Sequence, residues 1–201
     1  LREKRRNMIK TYTGPMHSGK TSAMITDYKK IWNKEHVRVF KPSCDVRDLG
    51  EMKSKDFVEG IPAVCVDSFE ELLQHVDESV RTIFIDEVQL MKGSVSVLTY
   101  LSVVYDIDIF LAGLDLTSEQ EPFLIMPQIL AISDETIFVK ASCFDCGREA
   151  SYTYYEGSKD EAIKVGDEGY FPLCSRCLLK RRGREGMKKV LRLEHIKKNE
   201  N

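Results

Sequence analysis

Residues 8–21 read M-I-K-T-Y-T-G-P-M-H-S-G-K-T. The pattern G-x-x-x-x-G-K-[ST] is satisfied by Gly14, Gly19, Lys20 and Thr21, and it is typical of a loop that wraps phosphate groups. In such a loop, backbone N–H groups cradle phosphate oxygens, the lysine neutralises their charge and the hydroxyl ligates Mg²⁺. Residues 9–13 read as a β-strand and residues 21–33 as a helix whose positive N-terminal end faces the phosphates, which favours this interpretation over a chance match. The sequence therefore predicts a site for a nucleotide phosphate.

Beyond this loop, apolar runs of strand length alternate with helical patterns. Strands are expected at residues 37–40, 61–66, 82–85, 107–112 and 136–140, and helices at residues 69–76 and 94–104. Near-continuous apolar strands are typical of a parallel sheet that is covered on both faces. The predicted fold class is α/β, with a P-loop NTPase-like parallel sheet and helices on both faces.

Acidic residues follow one of these strands directly. Asp86 and Glu87 come after the apolar run 82–85, where a carboxylate can hold the Mg²⁺ that bridges nucleotide phosphates. Ligands of parallel sheets bind at the carboxyl ends of strands, so the loop at 14–21, the Asp86–Glu87 pair and the segment 113–115 should meet there. The polar segment 43–60 is expected to border the same site.

Four of the six cysteines form two C-x-x-C pairs, Cys143/Cys146 and Cys174/Cys177, about 27 residues apart. Two such pairs predict a tetrahedral zinc site, and four protein ligands leave no open position, so the metal should be structural. The runs 152–155 and 162–165 read as hairpin strands between the pairs. The expected domains are an N-terminal extension (1–7), a P-loop α/β nucleotide-binding domain (8–141), a zinc-ribbon domain (142–180) and a basic tail (181–201).

The overall composition narrows the classes of partner. The 201 residues carry a formal net charge of −2, with a pI near 6.2, so no global positive field attracts nucleic acid or acidic membranes. No apolar run approaches the roughly 20 residues of a membrane span, and no secretory signal is evident. We expect a cytoplasmic protein. Because the sequence starts at Leu1, residues 1–7 are interpreted as an extension, with Met8 as a plausible natural start.

Taken together, these motifs resemble those of the type II (cellular-type) thymidine kinases. The matching segments are G-P-M-H-S-G-K-T at 14–21, K-P-x-x-D-x-R at 41–47, I-D-E-V-Q at 85–89, A-G-L-D at 112–115, E-P-F at 121–123, C-x-x-C-x-R-E-A-x-Y-T at 143–153 and Y-x-P-x-C-x-x-C at 170–177. The glycine loop alone is generic, but its combination with the 41–47 motif and a zinc ribbon is specific to this family. The resemblance covers residues 8–180.

The resemblance implies ATP-dependent phosphorylation of the 5′-hydroxyl of thymidine, with deoxyuridine as a second candidate substrate and Glu87 as the general base. It further implies a loop between the cysteine pairs, near residues 153–170, that wraps the nucleoside, a homotetramer, and feedback inhibition by thymidine triphosphate (dTTP). The implied site residues are Glu87, Lys20 and Arg47 for catalysis; Gly14, Pro15, Met16, His17, Ser18, Gly19, Lys20 and Thr21 for the phosphates of ATP; Thr21, Asp86 and Asp45 for Mg²⁺; Met16, Leu90, Leu114, Ser118, Phe123, Thr153, Ile163, Val165 and Tyr170 for the nucleoside; and Cys143, Cys146, Cys174 and Cys177 for zinc.

The chain departs from the family pattern around the base. Leu90 and Ser118 stand at positions that are usually aromatic, which removes stacking surface. His17, the segment 54–56 and the pair Tyr154–Tyr155 also differ from the common residues. The phosphate residues are unchanged, so the departures bear on base preference.

Two other functions stay open at this point. One is a kinase of a different small molecule on the same scaffold. The other is a P-loop ATPase that binds nucleic acid through the zinc ribbon and the basic segment 180–198, although the acidic pI and the lack of a basic groove with aromatic residues speak against it. We therefore expect ATP and a pyrimidine deoxynucleoside as partners, with no membrane or nucleic acid.

Overall fold

The computed structural model describes residues 7–45, 47–48, 50–123, 125–157 and 168–192. Strands and helices alternate from Ile9 onward, as the apolar runs predict. The strands are β1 (Ile9–Thr13), β2 (Val37–Pro42), β3 (Glu51–Met52), β4 (Ile61–Pro62), β5 (Val64–Val66), β6 (Thr82–Ile85), β7 (Asp108–Gly113), β8 (Glu135–Phe138), β9 (Ala141–Ser142), β10 (Glu149–Ala150), β11 (Tyr152–Tyr155) and β12 (Tyr170–Leu173). The α-helices are α1 (Lys20–Lys30), α2 (Ser96–Tyr105), α3 (Met126–Ile132) and α4 (Ser175–Val190), and short 3-10 turns cover Glu70–Gln74 and Val88–Leu90.

Six strands form the central sheet in the order β5-β2-β6-β7-β1-β8. Every neighbouring pair in this sheet is parallel. Strand β1 lies between β7 and β8, so the glycine loop that follows it emerges at the carboxyl edge of the sheet. The predicted α/β fold with a parallel sheet is confirmed.

Two apolar clusters cover the two faces of this sheet. Successive side chains of β6 alternate, since Ile83 and Ile85 pack in one cluster and Phe84 in the other. The Ile83 side is covered by α2, α3 and the turn Glu70–Gln74, and the Phe84 side is covered by α1. Helices therefore lie on both faces, and they fix the direction in which each strand end points.

Three local predictions differ from the structure. The helix expected at 69–76 is a single 3-10 turn, Glu70–Gln74, which ends at His75. The strand expected at 61–66 is split, because β4 pairs with β3 while β5 pairs with the central sheet. The apolar segment 126–132, which had no predicted element, forms α3, with Pro127 in its first turn, where proline is well tolerated.

The cysteine-rich part folds as two short hairpins followed by α4. Strand β9 pairs with β10, and β11 pairs with β12. The partner of the run 152–155 is thus β12, whereas the predicted partner at 162–165 lies outside the described residues. A small apolar cluster that includes Ala150, Leu173 and Leu178 packs around the buried cysteines. Helix α4 continues through the position where the basic tail was expected to begin.

No helix in the described part of the chain is long and apolar enough to cross a membrane.

Candidate active site at the carboxyl edge of the sheet

The glycine-rich loop joins β1 directly to α1. Gly14 has φ +143°, and a Cβ at this position would lie 2.1 Å from the carbonyl oxygen of Val139, so only glycine fits against the end of β8. Gly19 has φ +84° and immediately precedes α1. This backbone places the first turn of an 11-residue helix, with its unpaired N–H groups, at the loop.

Lys20 is buried, and its ammonium group donates a hydrogen bond to the carbonyl oxygen of Pro15 at 2.7 Å. Burial lowers the pKa of Lys20, although the charges of Glu87, Asp86 and Asp115 oppose this effect. The ammonium group is therefore buried near three carboxylates whose charge only partly offsets the cost of burial. It is positioned to neutralise phosphate charge.

Thr21 and Asp86 are in direct contact. The Thr21 hydroxyl donates to Oδ1 of Asp86 at 3.1 Å. Burial, with the neighbouring Glu87 charge, raises the pKa of Asp86 above its usual range. A buried carboxylate with too little positive charge around it, beside a hydroxyl oxygen, is a donor set that fits Mg²⁺, which prefers oxygen ligands.

Glu87 is held by two donors. Nη2 of Arg47 lies 3.0 Å from its Oε1, and Nε2 of Gln89 donates to its Oε2 at 2.6 Å. Gln89 is itself fixed, because its Oε1 accepts the backbone N–H of Leu114 at 3.1 Å. Glu87 adopts the left-handed conformation, with φ +49°, where β6 ends. The carboxylate is therefore oriented from both sides.

Asp45 and Lys41 form a buried pair beneath Arg47. Oδ2 of Asp45 lies 3.2 Å from Nζ of Lys41, and its Oδ1 accepts a 2.8 Å hydrogen bond from Nε of Arg47. Burial raises the pKa of Asp45, but Arg47 and Lys41 outweigh it and hold the pKa below its usual range. Both carboxylate oxygens are thus engaged by cations, and Asp45 fixes the direction of the Arg47 guanidinium.

One cavity of about 1180 Å³ brings these groups together with the expected nucleoside positions. At one end, the backbone N–H of Met16 donates to the buried hydroxyl of Thr153 at 3.0 Å, which joins the glycine loop to β11. Ile163 and Val165 lie outside the described residues, and Gly14 and Pro15 are buried in the loop. The predicted site residues that line the cavity are Met16, His17, Gly19, Lys20, Thr21, Asp45, Arg47, Asp86, Glu87, Leu90, Leu114, Ser118, Phe123, Thr153 and Tyr170.

The four predicted zinc ligands converge. The sulfur atoms of Cys143, Cys146, Cys174 and Cys177 all lie within 4.8 Å of one another, and those of Cys146 and Cys174 are 3.7 Å apart. Zinc–sulfur bonds of about 2.3 Å in a tetrahedron require sulfur separations of about 3.8 Å. The donor set therefore fits zinc.

The pKa values of these thiols shift in opposite directions within the cluster. A hydrogen bond from Arg148 lowers the pKa of Cys146 to about 6, whereas burial raises the pKa of Cys177 to about 12. Four adjacent thiolates need a cation to ionise together, and a dication bound to all four supplies that charge. The cluster is compatible with a structural zinc ion.

The sequence analysis did not assign four side chains that belong to this site. Gln89, Lys41, Gln120 and Arg182 all line the cavity or hold a residue that does so. The I-D-E-V-Q motif contains Gln89, so its position two residues after Glu87 offered a signal. Arg182 offered none, because its partner Ser118 is 64 residues away in the sequence.

Comparison with known proteins identifies the family. The sequence model of the family described as thymidine kinase matches residues 7–178. A thymidine kinase of Bacteroides thetaiotaomicron is 34% identical over 188 residues, which cover 92% of this chain and 94% of that protein. The thymidine kinases of Pseudothermotoga lettingae (33% identical, 82% of this chain and 90% of that protein) and Mycoplasma mobile (27%, 96% and 94%) are also similar. The chain therefore belongs to the thymidine kinase family of enzymes.

Proposed function

We propose that this enzyme transfers the γ-phosphoryl group of ATP to the 5′-hydroxyl of thymidine, with deoxyuridine as a second substrate. Membership of the family supports thymidine phosphorylation as the general activity. The observation that carries the detailed proposal is a single cavity lined by the glycine loop, by Glu87 and by Thr153 of β11. Phosphoryl transfer needs the donor phosphate, a carboxylate and the acceptor hydroxyl in one such space.

In the proposal, the loop from Gly14 to Thr21 binds the phosphates of ATP. Backbone N–H groups of the loop and of the first turn of α1 are the donors, and Lys20 neutralises the charge that develops on the transferred group. Thr21 and Asp86 would hold Mg²⁺, which would offset the negative charge of the phosphate groups.

Glu87 is the proposed general base. Each carboxylate oxygen carries two lone pairs, so the contacts with Arg47 and Gln89 leave acceptor capacity for the proton of the 5′-hydroxyl. The same contacts hold the carboxylate still, which favours productive geometry. Arg47, which contacts Glu87, can donate two parallel hydrogen bonds to phosphoryl oxygens.

Asp45, which the family resemblance assigned to the Mg²⁺ site, is given a further role in this proposal. Because Arg47 and Lys41 engage both of its oxygens, we assign Asp45 to positioning Arg47, and its carboxylate would add negative charge beside the Mg²⁺ site.

The nucleoside half of the proposed site contains both apolar and polar side chains. Leu90, Leu114 and Phe123 supply apolar surface for a pyrimidine, and Tyr170 packs against Tyr155 with ring centroids 4.6 Å apart. Leucine at position 90 and serine at position 118 give less stacking surface than aromatic residues would. We propose that this widens the base preference from thymidine to deoxyuridine.

Four further proposals rest on the family resemblance and the composition. They are a cytoplasmic location, a homotetrameric assembly, feedback inhibition by dTTP and a division into domains at residues 8–141 and 142–180. Zinc bound by the four cysteines would pin the loop that wraps the nucleoside at both of its ends.

The test of the proposed function is a product assay with the purified full chain, Mg²⁺, γ-labelled ATP and thymidine. We expect label in thymidine 5′-monophosphate, at a rate that changes little between low and moderate salt. Release of labelled inorganic phosphate that depends on single-stranded DNA and falls steeply with salt would instead support the nucleic-acid-binding ATPase.

A further inference from the structure

A short hairpin forms one wall of the cavity on the nucleoside side; we call residues 116–122 the Ser118 loop. Leu116 forms a β-bridge with Pro122, and the backbone N–H of Thr117 donates to the carbonyl oxygen of Glu121 at 2.8 Å. Gln120 has φ +61°, a conformation that side-chain-bearing residues seldom adopt. Such a backbone persists only where surrounding contacts hold it.

One of these contacts comes from α4, at the far end of the sequence. Arg182 is only 11% exposed, and its Nη2 donates to the carbonyl oxygen of Ser118 at 2.6 Å. The guanidinium also lies 3.7 Å from the carboxylate of Glu119 and 5.2 Å from the ring centroid of Tyr154 on β11. Arg182 thus touches the loop and the strand that carries Thr153.

The second contact comes from the loop itself. Nε2 of Gln120 donates to the carbonyl oxygen of Ser118 and, at 3.1 Å, to that of Thr153. Because both partners are carbonyl oxygens, the amide nitrogen must face them. Gln120 and Arg182 therefore bind the same oxygen atom and tie it to β11, whose Thr153 also binds the glycine loop.

Two buried atoms in this cluster lack partners in the described part of the chain. They are Nε of Arg182, which is a donor, and Oε1 of Gln120, which is an acceptor. The two groups are complementary and belong to side chains that meet at one carbonyl oxygen. An unpaired buried polar group is costly, so these two side chains have capacity for further hydrogen bonds in this cluster.

We propose that Arg182 and Gln120 are positioning residues that hold the Ser118 loop against β11 and thereby set the affinity for the pyrimidine deoxynucleoside. The proposal rests on the proposed function, since it assumes that the nucleoside lies beside this wall. Neither residue needs to touch the reacting atoms. Their effect is on the shape of the nucleoside half of the cavity, and the phosphate half should be insensitive to them.

The experiment compares Arg182→Met, Arg182→Lys and Gln120→Ala with the wild type in the full-length chain. Thymidine and ATP affinities are measured separately by calorimetry, and KM and kcat by product formation. Losing a buried hydrogen bond from a charged donor should weaken thymidine binding at least about tenfold in Arg182→Met. We expect Arg182→Lys to recover part of this loss, and Gln120→Ala to raise KM for thymidine while KM for ATP stays within about twofold.

Arg184→Met is the matched control, because Arg184 lies two residues further along the chain, beyond the kink at Gly183, is exposed and carries the same charge. Its thymidine affinity should stay within about twofold of the wild type. Unchanged thymidine affinity in both Arg182→Lys and Gln120→Ala would overturn the proposal even if Arg182→Met failed to fold. Equal losses for ATP and thymidine would also overturn it. A wild-type enzyme that binds thymidine without phosphorylating it would contradict the proposed function alone.

Discussion

Replacing Glu87, the proposed general base, with glutamine tests whether this carboxylate takes part in proton transfer or only in binding. Glutamine has nearly the same shape as glutamate but cannot accept the hydroxyl proton. A positioned general base contributes roughly 10²–10⁴ in rate, which corresponds to about 3–5 kcal/mol of activation free energy. We therefore expect kcat of Glu87→Gln to fall about 10²- to 10⁴-fold.

The hydrogen bonds of Glu87 determine how far the substitution should also change folding stability and thymidine affinity. Glu87 accepts from both Arg47 and Gln89, whereas a glutamine has one acceptor oxygen and one donor group. Gln89 cannot turn its own amide without losing the backbone N–H of Leu114. One hydrogen bond is then lost, at about 1 kcal/mol of folding stability, and thymidine affinity should change less than about threefold.

The assay is steady-state formation of thymidine monophosphate, combined with calorimetric binding of each substrate. Glu51→Gln is the control, since Glu51 is an exposed carboxylate that lines the same cavity, and its kcat should stay within about twofold of the wild type. A Glu87→Gln variant with kcat within tenfold of the wild type would refute the assignment of the base. A large loss of both substrate affinities would show that the cavity had been distorted instead.

Three further predictions concern the metal and the fold. The native chain should contain about one zinc ion by elemental analysis. The Cys146→Ser variant should lose this ion and unfold at a lower temperature than the wild type. A stable wild-type protein without metal would refute the zinc ribbon. Gly14→Ala should destabilise the protein by about 2–4 kcal/mol in urea unfolding, because its Cβ would lie 2.1 Å from the carbonyl oxygen of Val139; equal stability would show that the loop adapts freely. Burial raises the pKa of Asp27, but hydrogen bonds from Lys30, Tyr12 and Lys10 outweigh it and hold the pKa at about 2. Asp27→Asn should therefore cost about 1–2 kcal/mol at pH 7. A lowered folded-state pKa stabilises the protein above pH 4, and this contribution is lost as the pH falls from 4 towards 2; a wild-type advantage that persisted unchanged at pH 3 would contradict the assignment.

The parts of the molecule that local sequence specifies were predictable. The loop at 14–21 needs glycine for its backbone and sits between a strand and a helix, so β1 and α1 follow from a few residues. Asp86 and Glu87 end an apolar strand, and the parallel sheet brings that end to the loop. The spacing of the cysteines likewise anticipated their convergence.

Features that depend on distant partners were not predictable from local patterns. The apolar residues of 69–76 suit a helix, yet only one 3-10 turn forms, and the carboxylate of Glu70 accepts the backbone N–H of Ser94. Gln89 can reach Leu114 because Gly113, on another strand, has no side chain; a Cβ there would lie 2.7 Å from its Oε1. Both outcomes depend on how separate elements pack.

The partners of the C-terminal basic residues were likewise not predictable from local sequence. A cluster of lysine and arginine is usually a solvated surface, or else a candidate nucleic-acid contact. In the structure, Arg181 binds Asp145 through two hydrogen bonds of 2.9 and 2.6 Å, and Arg182 binds the Ser118 carbonyl oxygen. These two arginines are therefore engaged within the chain, and only the folded molecule reveals their partners.

ATP and thymidine are proposed to occupy one cavity and to face each other at Glu87. A bisubstrate analogue, in which adenosine and thymidine are joined through their 5′ positions by a chain of five phosphates, tests this claim most directly. We predict that it binds one molecule per chain and inhibits competitively with respect to both ATP and thymidine. Competition with only one of the two substrates, or binding of two molecules per chain, would contradict the account.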